Sequence, residues 1–157
     1  MKAFYQSPVG VIEIEETNNH ISSITILTEQ PPNTPSEISP LLNDAIQQFE
    51  EYFDGKRKSF DLPLKQEGTD FQRKAWSYLK TIPYGETVSY KDQASAIGSP
   101  KAFRAVGSAN GRNKLAIIVP CHRVINERNG LGGYAYGLDI KRLLLELELF
   151  YKEQNNA

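Results

Sequence analysis

Apolar and polar positions follow two different periods along this chain. Ile12-Glu13-Ile14-Glu15, within Val11–Glu15, alternates with the two-residue period of a strand that buries one face. Thr17-Asn18-Asn19-His20 is turn chemistry, and alternation resumes in Ile21–Ile26, from Ser23 onward. Pro31, Pro32 and Pro35 break the pattern. Leu42, Ala45, Ile46, Phe49, Tyr52 and Phe53 then recur at helical spacing, with Gly55 as a stop signal. These positions predict a small antiparallel meander carrying one helix. Leu62–Gly68 reads as a linker, giving a first domain over residues 1–65 and a second over 66–157.

The second half reads as mostly helical. Thr69 is placed to cap a helix whose apolar face is Phe71, Ala75, Tyr78 and Leu79, ended by Pro83-Tyr84-Gly85. Ser89 begins a short helix through Ile97, closed by Gly98. Ser99 caps a second one over Lys101–Ala109, with Pro100 in the first turn, where a missing N–H does no harm. The pair is a helix-turn-helix candidate. Its second helix is rich in small residues (Ala102, Ala105, Gly107, Ser108, Ala109), which suits either tight core packing or close approach to another surface. Leu115–Val119 is an apolar run into Pro120-Cys121, and residues 126–137 are glycine-rich loop. Asp139 is placed to cap a last helix with Ile140, Leu143, Leu144 and Leu147 as its buried stripe and Glu148 at the border.

Composition adds a boundary. The 157 residues, 39% hydrophobic and 24% charged, describe an ordinary globular chain with no run long enough to span a bilayer. The single cysteine excludes an internal disulfide and a multi-cysteine metal site, and with no export signal it points to a reducing cytoplasm. The net charge of −1 conceals a net −7 over residues 1–70 and +6 over 71–157. That asymmetry fits a polyanion-facing module beside a support module, or chance segregation on a neutral protein.

The chemistry centres on Cys121, which His122 follows directly. Isolated, such a cysteine is either a buried core residue or a nucleophile whose thiolate an imidazole sustains. On an extended segment adjacent side chains point apart, so His122 would reach the sulfur through a water, and Glu148 is a candidate to fix the imidazole tautomer. His20 and His122 are the only histidines, and no metal site is expected.

The blocks around this cysteine are specific. They are Pro83-Tyr84-Gly85-Glu86-Thr87-Val88-Ser89-Tyr90, the run Gly98–Gly107, Asn113, Pro120-Cys121-His122-Arg123-Val124, Gly130-Leu131-Gly132-Gly133-Tyr134, Gly137-Leu138, Lys141 and Leu144–Glu148. Together they resemble the O6-alkylguanine-DNA alkyltransferases over residues 71–148; the first half matches in layout and position. The resemblance implies an α+β fold: a ribonuclease H-like N-terminal sheet plus helix, then a mostly helical winged helix-turn-helix domain. It also implies irreversible, single-turnover transfer of an alkyl group from guanine O6, and from thymine O4, to Cys121.

What the resemblance implies for single residues can be given a physical reason. Cys121 would attack the alkyl carbon, His122 would draw off the thiol proton through water, and Glu148 would stabilise the imidazolium. Tyr90 would donate to the departing base, which gains negative charge. Asn113 would hold the active-site turn, Tyr134 would wall the pocket, and the main chain of Cys121, Val124 and Ala135 would meet the guanine edges. Arg104 would enter the base stack of a minor-groove-bound duplex, with Ala102, Ala105 and Gly107 allowing close approach and Lys101 and Arg123 contacting DNA.

Lys114 and Tyr136 depart from the family pattern, where proline and glycine are common, and Tyr136 is expected to narrow the pocket. The resemblance also implies no cofactor, double-stranded DNA as partner, no obligate protein partner and a monomer. A Cys-His-Glu thiol hydrolase, a lesion binder that does not transfer and, behind them, a helix-turn-helix transcription regulator are the rival readings.

Overall fold

A computed structural model describes residues 1–30, 37–127 and 130–155. Its contacts divide into two compact units, one formed by Met1–Gln66 with Lys114–Ala116, the other by Glu67–Asn113 with Ile117–Ala157.

The first unit is the meander β1 (Lys2–Ser7), β2 (Gly10–Thr17) and β3 (His20–Leu27), antiparallel in that order, and helix α1 (Pro40–Phe53). Asn18 and Asn19 have φ of 50° and 64°, the left-handed backbone that two-residue hairpin turns require. A register shift pairs Glu15 with Ser23 and Glu16 with Ile21, so Ser22 is skipped in the register. That bulge puts Ile21 and Ile24 both in the core despite their odd spacing, which is why the alternation holds only from Ser23. The alternation did not reveal β1, because its fully buried residues are Ala3 and Ser7.

Helix α1 starts where Ser39 accepts a bond from the Leu42 N–H and Pro40 fills the first turn. Leu42, Ala45, Phe49, Tyr52 and Phe53 are buried, as their spacing predicts, and Gln48 joins them by exchanging two bonds with the Asp61 main chain at 2.8 and 2.9 Å. Part of the expected linker is structural: Pro63 and Lys65 bond the Ile21 main chain at 2.7 and 3.0 Å. Pro31, Pro32 and Pro35 lie outside the described residues.

The second unit comprises α2 (Asp70–Leu79), β4 (Val88–Ser89), α3 (Tyr90–Ala96), α4 (Phe103–Gly111), a single 3-10 turn at Cys121–Arg123, β5 (Val124–Ile125) and α5 (Leu138–Asn155). Thr69 with Gln72, and Ser89 with Asp92, form capping boxes that start α2 and α3. Trp76, absent from the predicted face of α2, is 4% exposed, and its indole N–H donates to the Ala109 carbonyl at 2.8 Å. Gln93 of α3 and Asn110 of α4 exchange two amide bonds of 2.9 and 2.8 Å in the interior and fix the two helices to one another.

Two expected helix starts are corrected. Helix α4 begins at Phe103, not Lys101. The Ala102 N–H bonds the Ser99 carbonyl in a separate turn, and Ala102 stands at the cap position without a side-chain oxygen. Helix α5 starts at Leu138, so Asp139 sits inside the first turn, exposed. Its buried stripe is Lys141, Leu144 and Glu148, whereas Leu143 is 47% exposed and Ile140 and Leu147 are half-buried. Among the described residues no helix is long and apolar enough to cross a membrane.

Candidate active site

The site is built on the 3-10 turn. The Cys121 N–H bonds the Val119 carbonyl at 2.8 Å and the Arg123 N–H bonds Pro120 at 3.0 Å. With three residues per turn, consecutive side chains diverge by about a third of a circle. Cys121 therefore faces a cavity while His122 and Arg123 turn into the interior, so the segment is a tight turn rather than the extended one considered from sequence. The preceding apolar run is also no strand. Ile117 has φ of 71°, a left-handed conformation that a β-branched residue adopts only under constraint. Beyond the turn, β5 pairs in parallel with β4, Val124 opposite Val88, which sets Tyr90 at the start of α3 relative to the cysteine.

Behind the sulfur lies a buried ionic cluster. His122 and Glu148 are both 0% exposed, with Nε2 and Oε2 2.7 Å apart. Arg123 donates from Nε and Nη2 to the two Glu148 oxygens at 2.8 and 3.0 Å, and from Nη1 to the Ile82 carbonyl at 2.8 Å. Burial alone would raise the Glu148 pKa; His122 and Arg123 outweigh it and hold the carboxyl well below the usual carboxylate range. An ionised carboxylate can only accept, so the imidazole hydrogen belongs on Nε2. The neutral ring then presents Nδ1 as an acceptor, and this buried atom has no protein hydrogen-bond partner among the described residues.

On the cavity side, the half-buried Cys121 thiol is pushed up in pKa by burial, against a hydrogen bond from Asn113 and the charge of Lys141. The Asn113 amide donates to the sulfur at 3.4 Å and to the Val119 carbonyl at 2.8 Å, tying the turn to its own nucleophile. The cavity holds about 1150 Å³, with Tyr90, Arg104, Gly107, Cys121, Tyr134 and Ala135 in its wall. The Tyr90 pKa is raised by burial, partly offset by a backbone hydrogen bond from Gly133. The buried Tyr134 hydroxyl has no hydrogen-bond partner among the described residues.

The remaining expected site residues are placed as follows. Arg104 and Ala105 are on the exposed face of α4, while Lys101 and Ala102 precede that helix. Ala109 packs inward, so the small residues serve both core and surface. Val124 is fully buried and its carbonyl accepts a bond from Lys141 at 2.6 Å. Arg123 is not a DNA contact: it is 6% exposed and its guanidinium is spent on Glu148 and Ile82. Tyr136 is not in the cavity wall; it stands edge-on to Tyr134 with ring centroids 5.7 Å apart, so it backs a ring that lines the pocket.

Residues 70–150 match the model of the 6-O-methylguanine DNA methyltransferase DNA binding domain, and residues 1–66 match the ribonuclease-like domain of the same proteins. The chain belongs to the 6-O-methylguanine DNA methyltransferase family. It is 48% identical to a constitutive methylated-DNA–protein-cysteine methyltransferase of Bacillus subtilis, over 95% of this chain and 96% of that one. A counterpart from Methanosarcina acetivorans is 47% identical over 93% and 96% of the two chains. A solved Mycobacterium tuberculosis OGT in complex with DNA superposes with a TM-score of 0.85 at 43% identity, covering 96% of this chain and 93% of that one. In this methyltransferase family member the fold is α+β, with the antiparallel sheet and helix in the ribonuclease-like half and helices dominating the other.

Two contributors to the site escaped the sequence reading. Arg123 holds the Glu148 carboxylate, and Gly132 makes room for Tyr90. A side chain at Gly132 would meet the Tyr90 hydroxyl at 2.7 Å, and its φ of 74° favours glycine. The usable signal was the stripe itself: Lys141 and Glu148 flank Leu144 on one face of α5, and charged residues on an apolar face have partners.

Proposed function

We propose that this chain repairs alkylated DNA by moving the methyl or larger alkyl group from guanine O6, or thymine O4, in duplex DNA to Cys121, once per molecule. The observation that carries the reading is the half-buried sulfur in the wall of a cavity roomy enough to admit an extruded base, backed by the His122–Glu148–Arg123 cluster. The thiol proton passes through a water to His122 Nδ1, and the Glu148 carboxylate stabilises the imidazolium. The sulfur attacks the alkyl carbon in line; the S–C bond forms as the C–O6 bond breaks, and the electron pair leaves with the base. Tyr90 in the cavity wall gives its proton to that anion, and the proton taken up by His122 returns to the phenolate through water, leaving a neutral base and neutral side chains. The thioether product is stable, and among the described residues of the cavity wall no group is suited to remove it.

A stacked guanine cannot reach the sulfur, so the base must swing out of the helix, at a cost of a few kcal/mol. Arg104, exposed at the cavity wall on α4, fills the gap, with Ala105 and Gly107 allowing the helix into the minor groove and Lys101 near a phosphate. The Mycobacterium tuberculosis relative was solved with DNA, which supports the same partner here. The protein acts as a monomer without a cofactor, in a reducing cytoplasm that keeps its lone thiol free.

The test is intact-protein mass spectrometry after incubation with a duplex containing O6-methylguanine. A gain of one CH2 on the peptide carrying Cys121, stopping at one equivalent, is expected. Continued turnover would indicate the hydrolase, and tight binding without mass gain the non-transferring lesion binder.

Two variants probe the parts. Arg104→Ala should keep its rate toward free O6-methylguanine but fall at least about tenfold on duplex DNA, in single-turnover kinetics on both substrates; equal losses would contradict the intercalating role. Gly132→Ala should displace Tyr90 and slow transfer to the free base by about 10- to 100-fold, since errors of about 1 Å cost that much. Gly107→Ala is the control, because its added carbon would sit 3.7 Å from the same ring, in ordinary contact.

A further inference from the structure

Lys141 is fully buried on α5, and the reaction as described gives it no part. Its ammonium donates to the Val124 carbonyl at 2.6 Å and to the Gly133 carbonyl at 2.9 Å, and lies 5.8 Å from the centre of the Tyr90 ring. These three partners come from three segments of the cavity: the strand that follows the cysteine turn, the glycine loop, and the start of α3. Among the described residues no carboxylate pairs with it. A buried ammonium without a counter-ion is costly, and hydrogen bonds to two neutral carbonyls offset only part of that cost. The titratable groups facing it are Cys121 from the turn and Tyr90 from α3.

We propose that Lys141 is a positioning residue for the transfer step, clamping the Val124 and Gly133 carbonyls so that the cysteine turn and the glycine loop close on one cavity, and serving as the standing positive charge that favours the Cys121 thiolate. The proposal deepens the alkyl-transfer reading and rests on it only for the identity of the electrophile. The ammonium keeps its protons throughout, and no bond to it forms or breaks. Arg123 is already neutralised by Glu148, and Lys141 is the cation whose charge bears on the sulfur. Burial lowers the Lys141 pKa to about 8, with Cys121 pulling the other way, so the charge is present at neutral pH and fades in mild alkali.

The experiment reads the thiol without DNA or guanine, so it stands or falls separately from the repair reading. The rate at which iodoacetamide modifies Cys121 is followed against pH in the full-length wild type and in Lys141→Met, Lys141→Gln and Lys141→Arg, with near-ultraviolet circular dichroism confirming the fold of each. In whichever neutral variant folds, the apparent thiol pKa should rise by at least about one unit, with about tenfold slower modification at neutral pH. Lys141→Arg should return it toward the wild-type value. A role limited to holding the two carbonyls would change stability and leave the pH profile in place. An unshifted profile in a folded neutral variant, or an equal shift in Lys141→Arg, overturns the proposal.

Discussion

Replacing Cys121 with serine should abolish methyl transfer while leaving the fold and the affinity for methylated duplex intact. A serine hydroxyl stays protonated in a site that already pushes even the thiol upward in pKa through burial. The Asn113 hydrogen bond and the Lys141 charge, which partly offset that burial for sulfur, fall far short of ionising an alcohol. Loss of the nucleophile from a comparable cooperative site costs on the order of 10⁶-fold, beyond the reach of a transfer assay. The side chain is half-buried and nearly the same size, so stability should change by less than about 1 kcal/mol. Transfer of labelled methyl from DNA to protein, set beside gel-shift affinity and thermal midpoint, checks all three. Residual transfer above background would place the acceptor elsewhere.

Glu148→Gln should damage stability and chemistry together. The amide removes the negative charge that both Arg123 and His122 face, leaving a guanidinium buried without its counter-ion, a change worth about 3–5 kcal/mol. It also frees the imidazole tautomer, because a glutamine side chain can donate to Nε2 as well as accept from it. Transfer should fall by about 10³-fold or more even at temperatures where the variant is folded, by analogy with losing the orienting member of a triad. The pH dependence has a definite sign. The folded-state pKa of Glu148 is depressed, so its stabilisation is present above the unfolded carboxylate pKa of about 4.3 and is lost as pH falls from there toward the folded value. Wild-type protein should therefore lose stability steadily below about pH 4.5, whereas the variant loses less over the same range. Urea denaturation at a series of pH values, with initial transfer rates at each, separates the two effects; parallel acid limbs would show that the carboxylate is not held low.

Much of the scaffold was written in periodicities that a reader of the chain can follow. The α1 face from Leu42 to Phe53 and the hairpin at Asn18-Asn19 stand where apolar spacing and turn chemistry put them. Strand β1 was silent because Ala3 and Ser7 carry its inward face, and neither is apolar enough to mark a period. The start of α4 was misplaced because Ser99-Pro100 has the chemistry of a cap, yet the Ser99 carbonyl closes its own turn onto Ala102. At the site, the residue types around Cys121 announced a nucleophile, but the division of labour was hidden. Arg123 reads as a surface cation among Lys and Arg, and only the 3-10 turn sends it inward. Lys141 and Glu148 are charged groups on a helix face that spacing rules assign to leucine. Their burial follows from partners outside the helix, in the cysteine turn, the strand after it and the glycine loop, which the period of the helix does not encode.

That arrangement orders events during synthesis. The carboxylate that orients His122 and neutralises Arg123 belongs to α5, which leaves the ribosome after the cysteine turn, the glycine loop and the helix bearing Arg104. Until that last helix docks, the emerging polypeptide carries a plain thiol with no proton acceptor aligned behind it. His122 and Arg123 thus enter the interior of the domain ahead of the one carboxylate that both of them bind, and the ionic cluster closes only when α5 packs over the turn.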